Sequence, residues 1–136
     1  MQFTIGTQNL LPFNLLRTTI AVLMAIHGIA RIAFDEINEL GVFLELHGLP
    51  FGLFLSWVIT LTELIGAGML LFNFLVRYAC AWFVLQLVLG IVIHYREGWF
   101  VVGPGQNGIE YSVLLIVCFI AVGWIDLLLK KGSSSA

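Results

Sequence analysis

Charge is what this chain is short of. Only 10% of its 136 residues are Asp, Glu, Lys or Arg, whereas 60% are hydrophobic, and the mean hydropathy is +1.04. A soluble domain of this length carries about 25% charged residues, so the composition is that of a multi-pass membrane protein in contact with a lipid bilayer. The net charge is −2, and no basic cluster occurs beyond Lys130-Lys131. That balance excludes nucleic acid as a partner. Cysteine is scarce too. Cys80 and Cys118 lie in separate apolar runs with neither a CxxC motif nor metal-ligand spacing, which removes the case for a redox dithiol. Both read as buried membrane residues. No internal repeat and no cofactor motif is evident. The segment before the first apolar run has no basic region and no small-residue cleavage site follows it, so this run is expected to be retained rather than processed.

What is abundant is apolar sequence in lengths that match a bilayer. Four runs, at about 15–33, 53–74, 76–94 and 109–129, approach the roughly 20 residues a membrane helix needs. They predict an all-α, four-transmembrane-helix bundle forming one membrane domain over 1–136. Residues 34–50 carry Asp35, Glu36, Glu39, Glu45 and His47; they read as an outer interfacial helix that stops at the turn signal Gly48-Leu49-Pro50. Residues 95–108 read as an outer Gly- and aromatic-rich loop with Trp99 and Phe100 at headgroup depth. Residues 132–136 read as a polar tail. Arg17, Arg77, Lys130 and Lys131 fall on the side of both termini, and Arg31 and Arg96 on the other. The positive-inside rule therefore places both termini in the cytoplasm. Asp126 and Lys130 are spaced for an ion pair across one helical turn.

Glu63 is the exception within this pattern. No other ionisable group occurs between Phe51 and Leu75, and a carboxylate at the bilayer centre costs about 2.5–3.5 kcal/mol or more unless it faces protein or water. At 1.5 Å of rise per residue it lies roughly 15 Å into the second span, with His27 roughly 9 Å and Gln86 roughly 12 Å below the outer surface. Spacing assigns faces. His27 and Arg31 are four apart; Ser56, Thr60 and Glu63 step by four and three; Gln86, Gly90 and His94 step by four. Small and polar residues at these intervals mark helix contacts in membranes. The expected site is a polar pocket opening outward between the helices. His27, Arg31, Glu63, Gln86, His94 and Glu110 line it, and Ser56, Thr60 and Tyr111 support it. Each of these has a plainer reading as well. Glu63 with His27 and Arg31 also describes a buried network that fixes helix register. Glu110 also reads as a first-turn acid facing the helix dipole, His94 as an interfacial residue and Tyr111 as an interface anchor. A bis-histidine haem is disfavoured because His27 and His94 differ in depth. No metal is expected, since the Glu-x-x-His pairs of di-iron bundles are missing.

The order of these features resembles the DoxX family of small four-helix membrane proteins. The matching pieces are His27-Gly28-Ile29-Ala30-Arg31, Gly48-Leu49-Pro50, Glu63-Leu64-Ile65-Gly66, His94, and Gly108-Ile109-Glu110-Tyr111-Ser112. Together they cover the chain from about Leu16 to Leu129. The resemblance implies a bacterial cytoplasmic-membrane location, and some relatives are linked to quinone-dependent thiosulfate oxidation or to oxidoreductase complexes in thiol-stress defence. The leading functional expectation is a quinone-binding or accessory subunit of a membrane redox system. Its quinone is held non-covalently, with a larger redox enzyme as partner and electron source. A small-solute or proton carrier and a non-catalytic scaffold are the alternatives, and a homo-oligomer is compatible with each.

Overall fold

A computed structural model describes residues 10–95, 98–99 and 109–133. Most of the expected 95–108 loop, including Arg96 and Phe100, lies outside these residues, as do residues 134–136 of the expected tail. Five helices follow in order: α1 (Leu11–Ala33), α2 (Glu36–Leu46), α3 (Gly52–Leu71), α4 (Val76–His94) and α5 (Glu110–Ser133). No strand occurs among the described residues. All but α2 are long and apolar enough to cross a membrane, which gives the all-helical architecture with four spans that the hydropathy pattern predicts.

The helix ends differ in detail from the apolar runs, each for a local reason. α1 begins at Leu11 because Pro12 in its first turn brings a helical φ and a missing N–H where none is needed. α3 stops at Leu71 because Asn73 and Leu75 take positive φ (56° and 48°) and the Phe74 N–H turns back to the Met69 carbonyl at 2.8 Å. Asn tolerates that backbone region well. α5 continues through Gly132 to Ser133, so the start of the polar tail is helical, and Lys130 pairs with Asp126 at 3.0 Å on its last turns.

α1 packs mainly on α3 and α4 on α5, with α2 laid against the start of α3. The core joining the two pairs lies toward the end of the bundle that carries both termini. There Ile20, Ala21, Met24, Ala67, Leu70, Val76, Ala79, Phe83, Phe119 and Val122 are buried together. Phe83 and Phe119 stack at 4.8 Å, and Gly66 makes room for the Phe83 ring: a Cβ there would stand 2.8 Å from its Cζ. The opposite half of α4, from Val84 to His94, has no fully buried residue.

The outer surface is apolar. Ile26, Ile29, Val92, Leu114 and Val117 are all more than half exposed. In water such contiguous apolar surface would drive association; in a bilayer it is the expected face. Polarity has moved inside, with Ser56 and Thr60 at 0% and Glu63 at 1% exposure.

Candidate functional site

The polar site is built on one stripe of α3. Ser56, Thr60 and Glu63 all point inward from this helix. Arg31, on the last turn of α1, crosses to meet two of them. Its Nη1 donates to Glu63 Oε2 at 2.8 Å and to Thr60 Oγ1 at 3.1 Å. Thr60 Oγ1 passes its own proton to the Ser56 carbonyl at 2.8 Å. Ser56 Oγ in turn lies 2.9 Å from the Ile37 carbonyl of α2 and 3.0 Å from the Leu53 carbonyl, so one proton is shared between two acceptors. The chain of donors thus runs from α1 through α3 to α2.

Two close glycine contacts permit this geometry. A Cβ on Gly28 would stand 2.9 Å from Leu64 Cδ2, so the bare α1 backbone is what lets Arg31 approach α3. Gly52, at the start of α3, lies so close to the Gly41 carbonyl of α2 that a Cβ would overlap it. Its N–H is capped at 3.1 Å by Glu45 Oε1, from the end of α2. The carboxylate also sits at the positive end of the α3 dipole.

Burial makes the Arg31–Glu63 pair more than a surface contact. The Glu63 side chain is 1% exposed and that of Arg31 12%. Two desolvated charges at this depth require each other, because removing either leaves an uncompensated charge in a medium of low dielectric. Among the described residues Arg31 forms its hydrogen bonds through Nη1, and its Nε and Nη2 have no hydrogen-bond partner. Chemically, the site can offer guanidinium N–H groups to an incoming carbonyl or anion, and it holds a carboxylate beside them.

The remaining expected residues are placed differently. His27 lies on the exposed surface of α1: it is near Arg31 in angle but roughly 100° from Gly28, where α1 comes close to α3, and so falls at the edge of the contact face. It takes no part in the buried network. Gln86 stands at the level of Glu63, one turn beyond the Gly66–Phe83 contact, and its Oε1 is buried without a hydrogen-bond partner. His94 stacks on Phe43 of α2 at 4.8 Å and 11° between ring planes, and Phe43 also meets His47 at 4.2 Å. Glu110 opens α5, half-buried, and Tyr111 is 47% exposed. The structure therefore gathers Arg31, Glu63, Thr60 and Ser56, and keeps Gln86, His94 and Glu110 on the α4–α5 side.

Two residues of consequence, Arg17 and Glu45, were not singled out by their spacing, and Asp126, paired with Lys130 by spacing, is more buried than that pairing implied. Arg17, 9% exposed, donates from Nη1 to the Leu70 carbonyl at 2.9 Å and so caps the end of α3. Glu45 caps its beginning. Asp126, 4% exposed, is buried at the far end of α5, near Cys80, whose side chain packs against Gly123.

The DoxX family model matches residues 13–96. The chain belongs to the DoxX family. The matched stretch takes in α1 to α4, hence every member of the buried network and His94, whereas α5 with Glu110 and Tyr111 lies beyond it. For this DoxX member, no curated protein and no solved structure gives a significant match.

Proposed function

We propose that this DoxX protein is a quinone-binding or accessory subunit of a membrane-associated redox system, and that its ligand meets the Arg31–Glu63 pair. The observation that carries this reading is the half-committed guanidinium. Arg31 is fixed to Glu63 and Thr60 by Nη1, and among the described residues its other N–H groups have no hydrogen-bond partner beside a buried carboxylate. A quinone is apolar enough to arrive through the bilayer and has carbonyl oxygens that need such donors. Small-molecule sites combine apolar walls with a few convergent polar groups, and Gln86 Oε1, buried and unpartnered, is a further polar group at the same level. Electrons come from a partner enzyme or a bound substrate. The bacterial cytoplasmic membrane, with both termini on its cytoplasmic side, is the location that goes with this role. The test is a quinone titration of the purified protein. Wild type binds, Glu63→Gln and Arg31→Gln bind much more weakly, and quinone reduction in membranes falls with them. Absent binding together with unchanged reduction in the Glu63→Gln strain rejects the reading.

A second reading rests on the same network. Bonds from Arg31 to the Ile37 carbonyl tie α1, α2 and α3 into one unit, which is what a non-catalytic scaffold for a larger complex needs. Under it, substitutions in the network lower stability while partner capture, read by native pull-down and mass spectrometry, survives in every variant that folds.

A further inference from the structure

A shallow apolar groove that shares no lining residue with the Arg31–Glu63 pair runs between α3 and α4. Gly66 and Ala79, both buried, form its floor, and its walls rise at Ile65, Met69, Tyr78 and Trp82. From Thr62 to Met69, its first and last lining residues on α3, the helix rises about 10 Å. That is about a third of the roughly 30 Å hydrocarbon thickness, so the groove can follow an acyl chain over much of one leaflet. Its mouth opens toward the end of the bundle that carries the termini, where Tyr78 lines it.

The mouth carries a cation. Arg77 is exposed and folded across Tyr78, its Cζ 4.8 Å from the ring centroid and its Nη2 donating to the phenol oxygen at 3.0 Å. Among the described residues no carboxylate pairs with Arg77. Lys130 on the same rim is already held by Asp126. A guanidinium without an acidic partner at headgroup depth recognises phosphate well, and each basic residue near an anionic membrane surface adds attraction for its lipids.

We infer that the α3–α4 groove is a binding site for an anionic phospholipid, with an acyl chain laid over Gly66 and Ala79 and the phosphate on Arg77. The site is independent of what the Arg31–Glu63 pair binds.

The test uses the full chain in phosphatidylcholine nanodiscs containing a small, varied fraction of phosphatidylglycerol or phosphatidylcholine with brominated acyl chains. Trp82 fluorescence is isolated by subtracting the Trp82→Phe variant. Brominated phosphatidylglycerol should quench Trp82 at about a fivefold lower mole fraction than brominated phosphatidylcholine, the factor one basic residue supplies. Arg77→Gln, on the exposed surface, should abolish that preference and leave quenching by phosphatidylcholine unchanged. Equal quenching by both lipids in the wild type overturns the proposal. So does a preference that survives Arg77→Gln. Trp82 protected from both lipids, with a dimer in the same discs, assigns the groove to a second copy of the chain instead.

Discussion

Arg31 Nη1 reaches Glu63 Oε2 at 2.8 Å across 32 residues of chain, and this one bond makes a buried carboxylate tolerable at mid-depth. Loss of either partner should cost about 3–5 kcal/mol, because the other charge is left buried and alone. The paired change Arg31→Met with Glu63→Leu should cost much less than the sum of the single changes. Unfolding titrations of the four proteins in mixed micelles give the comparison. Additive losses would mean that the two side chains do not act as a pair.

The glycine seam between α2 and α3 is predicted to be intolerant of a methyl group. Gly52→Ala places a Cβ against the Gly41 carbonyl and 2.7 Å from Glu45 Cγ, so α2 must lift away. Thiol labelling at Ile37→Cys or Leu44→Cys, both at buried positions, should be slow in the parent and fast when Gly52→Ala is added. Glu45→Ala leaves the seam in place and should cost about 1 kcal/mol, the usual worth of a helix cap.

Arg17 should behave as a cap for α3 rather than as a surface charge. Its bond to the Leu70 carbonyl is 2.9 Å and buried, and a hydrogen bond from a charged donor is worth about 1.5–3 kcal/mol. Arg17→Met is expected to lose that amount in the same unfolding titration. An exposed arginine would be replaced at almost no cost.

The stack of His94 on Phe43 joins α4 to α2 where the rest of that half of α4 is only partly covered. A double-mutant cycle with Phe43→Ala and His94→Ala should return a coupling of about 0.5–1.5 kcal/mol, the range for ring pairs beyond simple burial. A coupling indistinguishable from zero would dissolve the contact.

Orientation is open to direct measurement. With Arg77, Lys130 and Lys131 at the termini end, and Asp35, Glu36, Glu39 and Glu45 at the other, a fluorescent protein fused after residue 136 should fold and fluoresce in the cytoplasm of a bacterial host. A periplasmic reporter at the same junction should stay inactive. The reverse pattern would invert the topology.

The sequence makes the α3 stripe legible because period alone places Ser56, Thr60 and Glu63 on one face, and a carboxylate there demands a cation. Arg31 is the arginine that the expected pocket places beside it. His27 has no such marker. In a soluble helix the polar and apolar faces differ, but α1 is apolar almost all round, so hydropathy does not say which side of Gly28 is buried. Arg17 and Glu45 escape for another reason. Their partners are a backbone carbonyl and a backbone N–H, groups that every residue possesses and that spacing between side chains does not mark. The Phe43–His94 stack depends on how α2 lies across the end of α4, which no local pattern encodes.

Among the described residues, the polar side-chain bonds that join the first three helices close within residues 17–70: Arg17 to Leu70, Arg31 to Glu63 and Thr60, Ser56 to Ile37, and Glu45 to Gly52. During synthesis, the first three helices can therefore neutralise Glu63 before α4 has left the ribosome. The carboxylate need not wait in lipid for the second half of the chain, and the order of the helices along the chain doubles as an order of safe membrane insertion.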